Sequence, residues 1–113
     1  MFISILQLIA VIATIAIGLF SLFAPTKIEG FAGPKPVGGR GVAEIRAIFG
    51  GAFIGLGLAP LLLDKSVAYP MLGIVYLAIG LTRVITIFLD KSRESSNLIS
   101  VDSELVLGVL FLI

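Results

Sequence analysis

The sequence predicts an all-α, polytopic membrane protein: a bundle of four transmembrane helices, the fourth of them short. Two observations carry this expectation. Of 113 residues, 58% are hydrophobic and 13% charged, with a mean hydropathy of +1.19, which is more apolar surface than a soluble domain of this length can hide. The apolar residues also fall into four runs, about 2–24, 42–63, 67–90 and 98–113, separated by polar or Pro/Gly-rich stretches. The first three reach the ~20 residues that a spanning helix needs. Residues 1–113 therefore read as a single integral membrane domain.

Composition narrows the chemistry. A formal net charge of +1, with no basic cluster, gives no field that would track a nucleic acid. With no Cys and no His, thiolate nucleophiles, iron–sulfur ligands and imidazole-held zinc or haem are excluded within the chain. Carboxylates, hydroxyls, Lys and Arg remain. No nucleophile and base stand out at a spacing that implies a reaction, so the chain reads as non-enzymatic, with no cofactor and no metal.

The first run carries no charged side chain and lacks a basic n-region, and Pro25 follows the only cleavage-compatible alanine, Ala24. It reads as a retained anchor, not a signal peptide. Ser4, Gln7, Thr14, Gly18 and Ser21 recur at helical steps on one stripe. That stripe suits a seam facing the bundle or, alternatively, a pocket wall using Gln7 and Thr14. Residues 25–41, with Pro25, Pro34 and Pro36 among glycines and the charges Lys27, Glu29, Lys35 and Arg40, read as a loop. Gly38-Gly39-Arg40-Gly41 lacks the Lys-Ser/Thr that a phosphate loop requires.

The second run holds Glu44 and Arg46 near its start, then Gly50, Gly51, Gly55 and Gly57. Gly51 and Gly55 form a G-x-x-x-G pair, which lets a neighbouring backbone approach closely or opens a groove for an apolar ligand. On α-helical spacing Glu44, Gly51 and Gly55 share one face, and Arg46, Gly50 and Gly57 another. Ser66 is the expected cap of the third helix, with Pro70 in its first turn. Asp102 or Ser103 is the expected cap of the fourth.

Arg83 lies deep in the third run, flanked by Thr82 and Thr86. A cation at membrane depth costs roughly 2.5–3.5 kcal/mol on insertion scales and so implies a partner. If the runs alternate direction, Glu44 and Glu104 enter from the same side. Glu44, Arg46, Arg83 and Glu104 thus form the expected intramembrane polar cluster, either a clasp between helices or a head-group or proton-handling site. Lys27, Lys35 and Arg40 in the first loop and Lys91 and Arg93 in the third, against Lys65 alone on the other side, place those loops in the cytoplasm and both termini outside.

The segment from Gly41 to Gly51, then Gly55-Leu56-Gly57, Gly80-Leu81-Thr82-Arg83 and Glu104, resembles a family of small uncharacterised bacterial membrane proteins with four helices, broadly DoxX-like. The Glu44-x-Arg46-x-x-x-Gly50-Gly51 element is its most specific part, and the resemblance covers the second to fourth helices. It implies a four-helix bundle in a bacterial inner membrane with the Glu and Arg positions near one face, and no established activity. Two functional readings follow. One is an accessory or structural subunit that packs against other membrane subunits or a second copy of itself. The other is a protein that binds or moves a small apolar molecule with a polar head, a lipid or a quinone, at the Glu/Arg cluster.

Overall fold

The computed structural model describes residues 1–27, 37–91 and 95–113, the side chains of 95 and 96 excepted. The described residues form four helices and no strand: α1 (Phe2–Phe23), α2 (Gly38–Leu62), α3 (Lys65–Leu89) and α4 (Ser95–Leu112), with a short 3-10 turn at Pro25–Lys27. Three of the four, α1, α2 and α3, are long and apolar enough to cross a membrane. At 18 residues, α4 has a rise of about 27 Å. The chain divides into two compact units, Met1–Gln7 with Asp64–Ile113, and Leu8–Leu63.

In the second unit the rest of α1 packs antiparallel on α2. Val11, Thr14, Gly18 and Ser21 are buried, as the small and weakly polar stripe of α1 requires. The Thr14 hydroxyl donates to the carbonyl of Ala10 at 2.8 Å, which satisfies it without leaving the helix. Three glycines set the approach. A Cβ on Gly18 would stand 2.8 Å from the Ile54 backbone nitrogen, one on Gly50 would stand 3.2 Å from Leu22 Cα, and one on Gly57 would stand 3.1 Å from the Ile15 backbone nitrogen.

The glycines of the α1–α2 seam are thus Gly50 and Gly57, while Gly51 and Gly55 take no part in it. Both are exposed; a Cβ on Gly55 would meet nothing within 4 Å, and one on Gly51 only the carbonyl of Arg46 in its own helix. Gly50 and Gly57 keep the face they share at α-helical spacing, and that face is the buried one. Ile45–Ala52 is wound as a π-helix, whose i→i+5 bonding advances each turn by one residue more than an α-helix. Ile45 and Gly50, five apart, become stacked neighbours and are both buried. Glu44, Gly51 and Gly55 are all exposed.

In the other unit α3 and α4 form an antiparallel hairpin, joined by the first residues of α1. Tyr69, Gly73, Tyr76, Gly80, Arg83 and Ile87 follow the alternating four- and three-residue steps of a helix seam, and so do Asn97, Val101, Glu104, Gly108 and Phe111 on α4. Aromatic rings meet aromatic rings, and glycine meets glycine. Phe111 packs on the Tyr69 ring at 5.4 Å and stacks on Tyr76 at 6.1 Å with 8° between planes, while a Cβ on Gly73 would lie 2.8 Å from the Gly108 carbonyl oxygen. Gln7 of α1 donates from Nε2 to the Leu110 carbonyl at 2.9 Å.

Helix starts differ from the sequence expectation in three places. α2 begins at Gly38, not near 42, because nothing after Pro36 forbids it and Arg40 meets Glu44 one turn on at 3.0 Å. α3 begins at Lys65 with Asp64 as its cap, its carboxylate accepting from the Ser66 N–H at 3.0 Å, so Ser66 is inside the helix. The carboxylate serves better there because it also meets the positive end of the helix dipole. α4 begins at Ser95, which leaves Asp102 and Ser103 in its interior. Most of the expected first loop, residues 28–36, and Arg93 in the third lie outside the described residues.

Candidate functional site

Arg83 occupies a seam position of α3, and the two residues it meets occupy seam positions of α4. Its Nε donates to Glu104 Oε1 at 2.8 Å and its Nη2 to Glu104 Oε2 at 2.9 Å, a two-point fork that matches the planar guanidinium to the planar carboxylate. Its Nη1 donates to Asn97 Oδ1 at 2.9 Å. Asn97 and Glu104 are seven residues apart, two turns along the same face of α4. The Arg83 side chain is 31% exposed and that of Glu104 14%, so water or lipid head groups reach the cation more than the anion.

Of the four expected residues, Arg83 and Glu104 lie in one unit and Glu44 and Arg46 in the other, each with a partner in its own unit. Arg83 and Glu104 are brought together as expected. Glu44 accepts from Arg40 Nε in its own exposed pair. Arg46, also exposed, donates from Nε to the Leu22 carbonyl at 3.0 Å, where the last turn of α1 leaves carbonyls without intrahelical donors and presents the negative end of its dipole. Arg46 thus caps α1. Asn97 was missed by sequence reasoning, although its step of seven from Glu104 was the signal that would have found it.

A shallow groove of about 420 Å³ runs along α3 beside the ion pair, lined by Ala78, Ile79, Thr82, Arg83 and Thr86. Both threonines return their hydroxyl protons to α3: Thr82 Oγ1 donates to the Ala78 carbonyl at 2.7 Å and Thr86 Oγ1 to the Arg83 carbonyl at 3.0 Å. Among the described residues no group of three or more acidic side chains gathers as a metal ion would need. The site joins a neutralised charge pair to a small polar and apolar furrow, and it holds no nucleophile with a base beside it.

The family of chains described as a domain of unknown function, DUF4345, has a model that matches residues 2–113, nearly the entire chain, and the protein belongs to that family. No curated protein matches the chain. No solved structure does either.

Proposed function

We propose that this DUF4345 protein is a non-enzymatic integral membrane protein that packs as a small accessory or structural subunit against a larger membrane assembly. The observation that supports this is the use to which the deep cation is put. Arg83 sits in the α3–α4 seam with Glu104 and Asn97 bound to it, so the costly charge of this hairpin serves helix association. The outward glycines add to it: Gly51 and Gly55 open a face of α2 that no described side chain of its own unit fills, and such a face suits close approach of another helix.

The setting we propose is a bacterial inner membrane crossed four times, in a DoxX-like bundle with both termini outside. At about 27 Å of rise, α4 is long enough to cross a bilayer of modest thickness. Extraction in a mild detergent followed by size analysis tests the subunit reading. The native chain is expected in a larger complex, and Gly55→Leu, which meets open space in its own unit, is expected to leave the complex while keeping its own stability. A native chain that runs alone at every detergent concentration overturns it.

A second reading has its own support, the groove beside Arg83. A small apolar or lipid-like molecule with a polar head would lie along Ala78 and Ile79 with its head at Thr82, Arg83 and Thr86. Retention of a small amphiphile through purification is the test; a preparation free of any bound amphiphile speaks against it.

A further inference from the structure

The groove on α3 has a hydrogen-bonding character that selects among ligands, and the following step rests on the second reading above. Residues 78, 82 and 86 stand at successive turns, so the Ala78 methyl and two threonine oxygens form one row with Ile79 and Arg83 along its side. Because Thr82 and Thr86 direct their protons to the Ala78 and Arg83 carbonyls, what they present outward is oxygen lone pairs: acceptors. A guanidinium has five N–H donors. Among the described residues Glu104 and Asn97 engage three of those on Arg83, which leaves two on a group about a third exposed.

The charge at the site is already balanced. An acidic head group would gain little from Arg83, whose charge Glu104 matches at 2.8 Å, and would meet the repulsion of that carboxylate. A cation would meet Arg83 itself. An uncharged head that carries both a carbonyl, to accept from the guanidinium, and hydroxyls, to donate to the threonine oxygens, satisfies every group the groove offers. We infer that the groove beside Arg83 binds an uncharged amphiphile whose head joins an ester carbonyl to hydroxyls, an acylglycerol, with the acyl chain along Ala78 and Ile79.

The full chain in phosphatidylcholine nanodiscs, titrated with monooleoylglycerol, oleate or phosphatidylglycerol and read by native mass spectrometry, tests this. Monooleoylglycerol is expected to bind saturably and at least tenfold more tightly than either anionic lipid. Ala78→Phe fills the furrow from an exposed position and is expected to abolish binding. Thr82→Val combined with Thr86→Val keeps the shape, removes both acceptors and is expected to weaken binding about tenfold, the effect of two ordinary hydrogen bonds. If oleate or phosphatidylglycerol binds as well or better, and Ala78→Phe abolishes it, the groove is a site but the inferred ligand class is wrong. If no amphiphile shows binding that either variant weakens, both the inference and the second reading fall. Thermal unfolding of each variant within a few degrees of the parent excludes loss of fold as the cause.

Discussion

Arg83 and Glu104 face each other across the α3–α4 seam in a two-point fork of 2.8 and 2.9 Å, at the position in the repeating pattern where Tyr76 and Phe111 stack farther along. The same geometric slot that takes an aromatic pair toward one end of the hairpin takes an ion pair toward the other. Gly80 and Gly108 between them, and Gly73 just beyond the aromatic pair, let the two helices come close, which shortens the reach the two charged side chains need.

From this follows a double-mutant test. Arg83→Leu leaves a largely buried carboxylate and the Asn97 amide without their donor, and loss of one partner of a buried pair costs up to ~3–5 kcal/mol. With Arg83 31% exposed the expected loss is at the lower end, about 2 kcal/mol. Arg83→Leu with Glu104→Gln is expected to recover about half, measured as the unfolding midpoint in detergent. Asn97→Ala alone is expected to cost about 1.5 kcal/mol or more, the low end for a hydrogen bond to a charged group. A single variant as stable as the parent removes the clasp.

Much of this was legible in the chain. The four apolar runs, the depth of Arg83 and the acid that answers it from the fourth helix follow from hydropathy and from the rule that a deep charge seeks a partner. The seam of α1 was legible too, because α1 is a regular helix and its stripe keeps a period of 3.6. What was not legible depended on winding and on ends. The π-helical stretch Ile45–Ala52 carries no composition of its own, and which of the two glycine faces of α2 meets α1, that of Gly50 and Gly57, is decided by packing and not by spacing. Glu44 has an ion-pair partner, Arg40, one turn away on its own helix, and the glycines around Arg40 hide that turn of helix from a reading of composition.

The sidedness of the chain is testable in a protein that has no native Cys. On the proposed topology Lys65, just after α2, faces one side and Arg40 and Lys91 the other, and basic residues favour the cytoplasm. Cysteine placed at 65 is expected to react with a membrane-impermeant thiol reagent in intact cells. Cysteine at 40 or 91 is expected to react only after the cells are opened; the reverse pattern inverts the orientation.

Asp64 gives the fold an acid-sensitive end. The backbone N–H of Ser66, and after it the Ser66 side chain, hold its carboxyl below the ordinary value of 3.8. A carboxyl whose folded pKa is depressed contributes stability above its unfolded pKa and loses that contribution as pH falls through the folded one. Asp64→Ala is therefore expected to lower the unfolding midpoint at pH 7. The difference from the parent is expected to shrink as pH drops below about 3.8. A gap that stays constant from pH 7 to pH 2.5 means the cap acts through something other than its charge.

The glycines separate close packing from open surface more sharply than any other residue type here. At Gly73 a side chain would run into the Gly108 carbonyl oxygen, 2.8 Å from the added carbon, and backbone cannot swing aside as a side-chain tip can. Gly73→Val is expected to cost ~2 kcal/mol or more, in the range for overpacking, and to separate α3 from α4 far enough to loosen the Arg83–Glu104 fork. Gly55→Ala meets nothing within 4 Å and removes a poor helix former, so it is expected to gain up to ~1 kcal/mol. Unfolding midpoints of the two variants in one detergent decide it. Equal tolerance at both positions would mean that α3 and α4 do not meet through Gly73, and a loss at Gly55 with the chain alone in the micelle would place a neighbour of its own on that face.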